Sequence, residues 1–266
     1  MRASSWRSIH PTELWARRHL AWMLFTRGVK SRYKQSMFGM LWAVVNPLVT
    51  IVTFSFLFGT VAHMPTGGIP YPVYTYAALL AWNLFAGVVR DCSNSVTTNR
   101  VMVERIYCPR LILPLSTVLL SLFDFAISFV LFGVVMLIFG YTPSANIIFL
   151  PLLLLLVILA GLSVGLWLAA ASVWLHDIKF VVSYVIQLLL LLTPVGYGAA
   201  SIPARFSFIV KYNPMATLCE AFRWCLLGTP MPVVASATIS SFVLILLLIG
   251  SLVFFNEMER SFADVI

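Results

Sequence analysis

Apolar residues run along this chain in blocks longer than the core of a soluble helix requires, and short polar stretches separate them. The long runs cover 37–61, 73–95, 114–139, 148–175, 180–198 and 233–255. A helix needs about 20 apolar residues to cross the ~30 Å of bilayer hydrocarbon, so the pattern predicts six transmembrane helices. Within lipid a helix satisfies its own backbone, and an all-α membrane protein is the expected fold. Asn46-Pro47 inside the first run predicts a kink there. Segment 199–231 breaks the pattern: it is rich in Phe, Trp and Leu but is interrupted by Pro203, Pro214, Gly228, Pro230 and Pro232. Its helical piece, about 215–227, is too short to cross, so external re-entrant or interfacial helices are expected between spans five and six.

Ahead of the first run, residues 1–35 interleave Leu14, Trp15, Leu20, Trp22, Met23, Leu24 and Phe25 with Arg17, Arg18, His19 and Arg27. Pro11-Thr12 followed by Glu13 reads as a helix start, and 12–27 is expected to be an amphipathic helix in the headgroup layer. A soluble docking helix is the alternative. The basic residues that follow, Arg27, Lys30, Arg32 and Lys34, suit anionic lipid at about 1 kcal/mol per charge, or contact with a partner subunit. The basic start lacks an apolar stretch with a small-residue cleavage site, so the first span is expected to act as an uncleaved signal-anchor.

Composition supports a lipid solvent. The 266 residues are 61% hydrophobic and 10% charged, where soluble domains carry about 25% charged residues. The net charge of +8 would suggest nucleic acid in a soluble protein. Here it marks orientation: of 17 Lys and Arg, only Arg205, Lys211 and Arg223 fall in segments assigned to the outside. A multi-pass topology with both termini cytoplasmic follows, with membrane lipids and not nucleic acid as the electrostatic partner.

Motifs for chemistry are absent. There is no G-x-x-x-x-G-K-[ST], H-E-x-x-H or G-x-S-x-G, so no catalytic residue, metal or cofactor is expected on this chain. Cys92, Cys108, Cys219 and Cys225 form no C-x-x-C pair and read as small apolar residues; a Cys219–Cys225 bridge requires an oxidising compartment. Asp124 sits about 15 Å into the third run. An intramembrane carboxylate is either functional or part of a structural network, protonated or bonded to a serine of a neighbouring span. A single deep carboxylate is thin support for an ion-coupled carrier. Gly161, Gly165 and Ala169 make a small face on the fourth run that permits close helix approach. Glu220 and Arg223 are spaced i, i+3 for pairing, either to neutralise one another or to shape an external gate with Pro214. Residues 101–114 form a short amphipathic element closed by Pro109 and Pro114, with Glu104, Arg105 and Arg110 beside Ile106 and Tyr107. It is either a rigid cytoplasmic handle or an ordinary charged loop.

Four stretches in order carry a resemblance: SRYKQSMFGMLWAVVNPLVTIVTFSFLFG (31–59), ERIYCPRLILPLS (104–116), TPVGYGAASIPARF with YNPMATLCEAFRWCLLG (193–228), and ERSFADVI (259–266). Together the chain resembles the ABC-2 family of membrane components, most of all its O-antigen and teichoic-acid exporters. The resemblance implies a permease that passes lipid-linked polysaccharide across a bacterial cytoplasmic (inner) membrane. It implies a homodimer of six-helix subunits with the path along their interface. It also implies two separate nucleotide-binding ATPase subunits, which would bind the ATP and Mg, and a coupling role for 98–113 through Glu104, Arg105, Ile106, Tyr107, Pro109 and Arg110. A sugar passage needs aromatic faces for stacking; Phe38, Trp42, Tyr74, Tyr76, Trp82, Phe85, Trp174 and Tyr197 are candidates, with interfacial anchoring as the plain alternative. A capsular polymer, drug or other lipid is the alternative cargo. A membrane glycosyltransferase is the rival from another class, and it lacks its carboxylates and metal pair here.

Overall fold

The structure is a computed structural model, and it describes residues 18–34, 39–99, 102, 111–175, 177–198, 202–203, 205, 208 and 212–259. The described elements are helical. Helix α1 spans Arg18–Lys34 and α2 spans Trp42–Phe54, with a 3-10 turn (Gly39–Leu41) before it and a π-helical turn (Ser55–Val61) after it. Then come α3 (Tyr71–Ser93), the short α4 (Ser95–Thr98), α5 (Ile112–Ile138), a 3-10 turn (Ala145–Phe149) and α6 (Leu150–Trp174). The chain ends with α7 (Ile178–Leu192), α8 (Pro214–Leu227) and α9 (Val234–Glu259).

Among the described residues five helices are long and apolar enough to cross a membrane: Gly39–Val61, Tyr71–Ser93, Ile112–Ile138, Ala145–Trp174 and Ser236–Met258. The protein is a multi-pass, all-α membrane protein. The run at 180–198 differs from expectation. Its helix α7 has 15 residues, about 22 Å at 1.5 Å per residue, which is less than the hydrocarbon thickness. The cause is local. Thr193 precedes Pro194, whose ring disfavours helical backbone in the residue before it, and Thr193 is extended (ψ 137°). Helix α1 also differs, running on past residue 27 to Lys34; no proline stops it, and Gly28 lets it press against Leu120 of α5. In the first span Pro47 lies buried inside α2, and the irregular turn lies further along, at Ser55–Val61. There a side chain at Gly59 would reach within 2.9 Å of the Tyr71 ring.

Helix α3 is the post of the fold. It is the least hydropathic of the five spans and yet is buried over most of its length, whereas the others bury less than half of theirs. The relation is physical: helices that face lipid must be apolar all round, while an enclosed helix can carry polar positions. Helices α5, α6 and α8 pack on α3, α9 packs on α6, and α1 lies along α5. Close approach of α6 depends on its glycines. A side chain at Gly161 would meet Val88 Cβ at 2.7 Å, and one at Gly165 would meet Cys92 Cβ at 2.7 Å. The small face of the fourth run therefore packs within the subunit. Ser172 closes the same seam by donating to the Ser93 carbonyl (2.9 Å), and Trp167 stacks on Phe254 to hold α9 (4.4 Å).

This seam makes a stability prediction. Gly165→Leu forces α6 off α3 and is expected to cost about 1–3 kcal/mol, read as a lowered Tm of the detergent-purified protein. Gly133→Ala, where no atom lies within 4 Å, is expected to leave Tm unchanged or slightly raised. Equal Tm values for the two variants would overturn the packing account.

Candidate functional site

The two ends of α3 carry different polar clusters. The basic end bears Arg32, Arg90, Asp91 and Asp124. Arg32 comes from the last turn of α1 and reaches two spans at once. One guanidinium nitrogen donates to Asp91 of α3 (2.6 Å) and another to Asp124 of α5. Tyr33 donates its hydroxyl to the second oxygen of Asp124, and Ser121 donates to the second oxygen of Asp91 (3.3 Å). Two like charges from neighbouring helices are thus held by one cation. Burial alone would lower the Arg32 pKa, but Asp91 and Asp124 outweigh it and hold the guanidinium above its ordinary value. Burial first, and then the bond to Asp124, push the Tyr33 phenol well above its ordinary range, so it stays a donor at neutral pH. Ring contacts Phe25–Phe123 (6.2 Å) and Tyr33–Phe123 (6.1 Å) seat α1 beside this cluster. Asp124 therefore sits in a network with Arg32 and Tyr33 of the basic helix, where a serine of a neighbouring span was one of the expected partners.

Two cavities flank Arg32. One, about 350 Å³, lies between α1 and the ends of α3 and α5, with Arg27, Ser31, Asn94 and Thr117 in its wall. The other, about 570 Å³, lies between α2, α3 and α5 and is lined by Trp42, Asn46, Asn83, Arg90 and Ser128 together with Arg32.

At the opposite end, α8 brings Arg223 against α3. Its guanidinium is fully buried. It donates to the carbonyls of Pro194 (3.0 Å), Val195 (2.6 Å) and Tyr74 (3.3 Å) and to Glu220 (2.9 Å), and it lies 4.0 Å over the Tyr74 ring. The i, i+3 pair forms, but Arg223 is an internal tie and not a surface of a gate. Asn213 caps α8 by accepting from the Met215 amide (3.0 Å), with Pro214 at the first helical position, and Gly228 closes it with φ +73°. Tyr71 donates to the Gly196 carbonyl, so segment 193–198 is stitched to both α3 and α8. Cys92, Cys219 and Cys225 are buried free thiols; Cys219 faces the Ala78 carbonyl (3.7 Å) and Cys225 the Asn146 carbonyl (3.3 Å).

The remaining sequence candidates separate into three groups. Trp15, Arg17, Phe38 and the handle residues Glu104, Arg105, Ile106, Tyr107, Pro109 and Arg110 lie outside the described residues. Arg18, Trp22 and Arg27 are exposed on α1, which Lys34 ends; Trp42 and Trp174 are exposed, and Tyr197 is half-buried with its hydroxyl on the Leu191 carbonyl (2.9 Å). Tyr74, Tyr76, Trp82 and Phe85 are buried core of α3. Within the subunit they pack against neighbouring helices, and Trp82 and Phe85 also line a small cavity of about 160 Å³ with Leu189 and Met215. Tyr76 donates to the Ser128 carbonyl (2.9 Å) and stands edge-on to Phe132 (5.5 Å). Sequence reasoning missed the convergence on Arg32 and the polar stripe Asn83–Gly87–Arg90. The stripe was discoverable: positions i, i+4 and i+7 share one helix face.

Comparison with known proteins adds a family. The model of the ABC-2 type transporter family matches residues 19–227. An O-antigen export system permease protein RfbA of Klebsiella pneumoniae is 28% identical, over 92% of this chain and 93% of that protein. The protein of the same name from Myxococcus xanthus is 26% identical, over 95% and 97%. The polysialic acid transport protein KpsM of Escherichia coli is 22% identical, over 85% and 89%.

Two variants test the clusters. Arg223→Met removes the donor to the carbonyls of Tyr74, Pro194, Val195 and Tyr197 and is expected to cost about 3–5 kcal/mol, seen as loss of folded protein on size-exclusion in detergent. Arg32→Gln is expected to lower Tm, and adding Asp91→Asn and Asp124→Asn to it should recover part of the loss. The same two Asn substitutions in the wild-type background should lower Tm. Additive behaviour across this cycle would reject the shared-cation account.

Proposed function

Because the chain belongs to the ABC-2 type transporter family, we propose that it is the membrane-spanning permease subunit of an ABC transporter that exports a lipid-linked polysaccharide of the O-antigen type. The observation that carries this reading is similarity from end to end with permeases whose names specify O-antigen export, over more than nine-tenths of both partners. The polysialic acid transporter, at lower identity, supports the capsular polymer as the second cargo reading. The chain is a transporter component and not a catalyst. ATP hydrolysis, with its Mg, is assigned to two separate subunits. The basic end of the helices is the cytoplasmic face of a bacterial inner membrane, in keeping with the distribution of Lys and Arg.

A transport mechanism needs motion passed from the motor to the spans. Residues 103–110 join α3 and α4 to α5 at the basic end, where a motor subunit would dock. A push on this segment reaches α3 and α5 together, because Arg32 ties Asp91 to Asp124. The passage itself is assigned to the interface of a homodimer. Its support is the apolar face of α7, where Phe180, Val181, Tyr184 and Leu188 are exposed and only Val182 and Ile186 are buried.

Deletion of the gene is expected to abolish surface polysaccharide and leave lipid-linked polymer on the inner side, with recovery on re-expression. Unchanged surface polymer in the deletion strain would reject the exporter reading. Tyr107→Ala is expected to weaken copurification with the ATPase subunit by about 30-fold, the loss of an anchor worth about 2 kcal/mol. Wild-type assembly by that variant would remove Tyr107 from the coupling contact.

A further inference from the structure

The larger cavity at the basic end has a wall whose chemistry no transport step above uses. Helix α3 is buried along nearly all of its length, and its exposed positions are Asn83 and Arg90. They are seven residues apart, so they lie on one face about 10 Å from one another along the axis. Gly87 lies between them and also lines the cavity, and its missing side chain lets Ser121 of α5 approach. Asn46 of α2 lines the same space, about 570 Å³ in volume. Among the described residues, the side-chain amides of Asn46 and Asn83 and the guanidinium of Arg90 make no hydrogen bond, and Arg90 makes no ion pair. Arg90 feels Asp91 only through a longer-range attraction, because the oxygens of Asp91 bond Arg32 and Ser121 and those of Asp124 bond Arg32 and Tyr33; both carboxylates line the cavity beside it.

Unsatisfied polar groups are costly where hydrocarbon is the solvent, and such positions call for a partner. The arrangement specifies one. Arg90 sits in the last turn of α3, beside Asp91, which Arg32 at the end of the basic helix α1 holds; the distribution of Lys and Arg assigns this end to the headgroup layer. Guanidinium is the side chain best matched to phosphate oxygens, in a paired, charge-assisted geometry. The two amides lie deeper and offer donors to neutral oxygens below the phosphate. A free anion would use the arginine and leave the amides unmet; an amphiphile with a phosphate above and ester or sugar-ring oxygens beneath meets all three.

We propose that this cavity is a binding site for the phosphate group of a membrane lipid, with Arg90 on the phosphate and Asn83 and Asn46 on the oxygens below it. A bilayer phospholipid and a polyprenyl diphosphate carrier share this chemistry. Only the second source rests on the exporter reading.

The test uses the full chain purified in detergent and loaded with phosphatidylglycerol, and counts bound lipid by native mass spectrometry. Wild type is expected to retain phosphatidylglycerol. Arg90→Gln should bind about tenfold or more weakly, in line with loss of a charged hydrogen bond, Arg90→Lys less weakly than that, and Asn83→Ala weakly too. Lys179→Gln, an exposed cation at the same end but outside the cavity, should bind as wild type. Displacement of the lipid by a polyprenyl diphosphate at lower concentration would support the site and name the carrier as its occupant. Failure of the diphosphate to compete, with Arg90-dependent phosphatidylglycerol binding intact, would support it with a bilayer lipid as occupant. Equal lipid retention by wild type and Arg90→Gln would overturn the proposal, as would equal displacement by inorganic phosphate. A single size-exclusion peak and a wild-type Tm for Arg90→Gln separate lost binding from misfolding. The readout does not involve export, so the exporter reading and this site stand or fall separately.

Discussion

The guanidinium of Arg223 has no exposed surface, and its nitrogens meet backbone carbonyls of four separate residues, 74, 194, 195 and 197, together with Glu220. Water is not there to solvate it, so the chain completes the hydration shell itself. This constraint orders the far end of the molecule. The carbonyls of Pro194 and Val195 follow the break of α7, and they have no helical partner once Pro194 has ended that helix. Arg223 supplies their donors. A short fifth run is therefore tolerable only because α8 carries an arginine, and α8 is placed to deliver it by the Asn213 cap and by the Thr217–Ser240 contact with α9 (2.9 Å).

Arg32 answers the same constraint at the other end in a different way. It stands at the edge of the helices, partly open to solvent, and gathers two carboxylates where Arg223 gathers carbonyls. The difference bears on function. A buried arginine tied to backbone oxygens cannot be released without exposing all of them at once, so the far end is a fixed joint. A half-exposed arginine can exchange its more open partner, Asp124, for water at modest cost, since exposed pairs are worth about 0–1 kcal/mol. The basic end is thus the compliant one, and it is where a motor subunit is assigned to act.

Much of this was legible in the sequence. Five long spans, a basic amphipathic helix, a helical piece near 215–227 and the Glu220–Arg223 pair all follow from run length, charge bias and helical spacing, because these are local properties. The small face at Gly161 and Gly165 was legible as a contact, although not as one with Val88 and Cys92. Long-range convergence was not legible. Nothing in the spacing of residues 32, 91 and 124 says that they meet, and a depth count places Asp124 in the middle of a span when a neighbouring helix has in fact climbed to cover it. The enclosure of the α3 aromatics was not legible for a related reason. Trp and Tyr in a span suggest an interface or a passage, but α3 is the enclosed helix, and enclosure depends on which helices surround it.

The enclosure of α3 also explains why polar positions accumulate there. A helix facing lipid cannot carry Asn83 and Arg90 without a water-filled or ligand-filled space beside them, and α3 has that space in the cavity it shares with Asn46 of α2. The opening persists because α1 wedges the basic end: Leu24 is buried there, and Phe25 and Tyr33 both rest against Phe123. Arg32 then fixes α1 to α3 and α5. The cavity, the latch and the helix bearing the latch are one assembly, so displacement of α1 would alter the cavity wall and the Asp91–Asp124 distance together. In a subunit assigned to move in response to a partner, this links what occupies the cavity to the position of α1, since an occupant held by Arg90 has its charge adjacent to the same two carboxylates. An anionic group there strengthens the demand for Arg32 to stay, and its departure relaxes it.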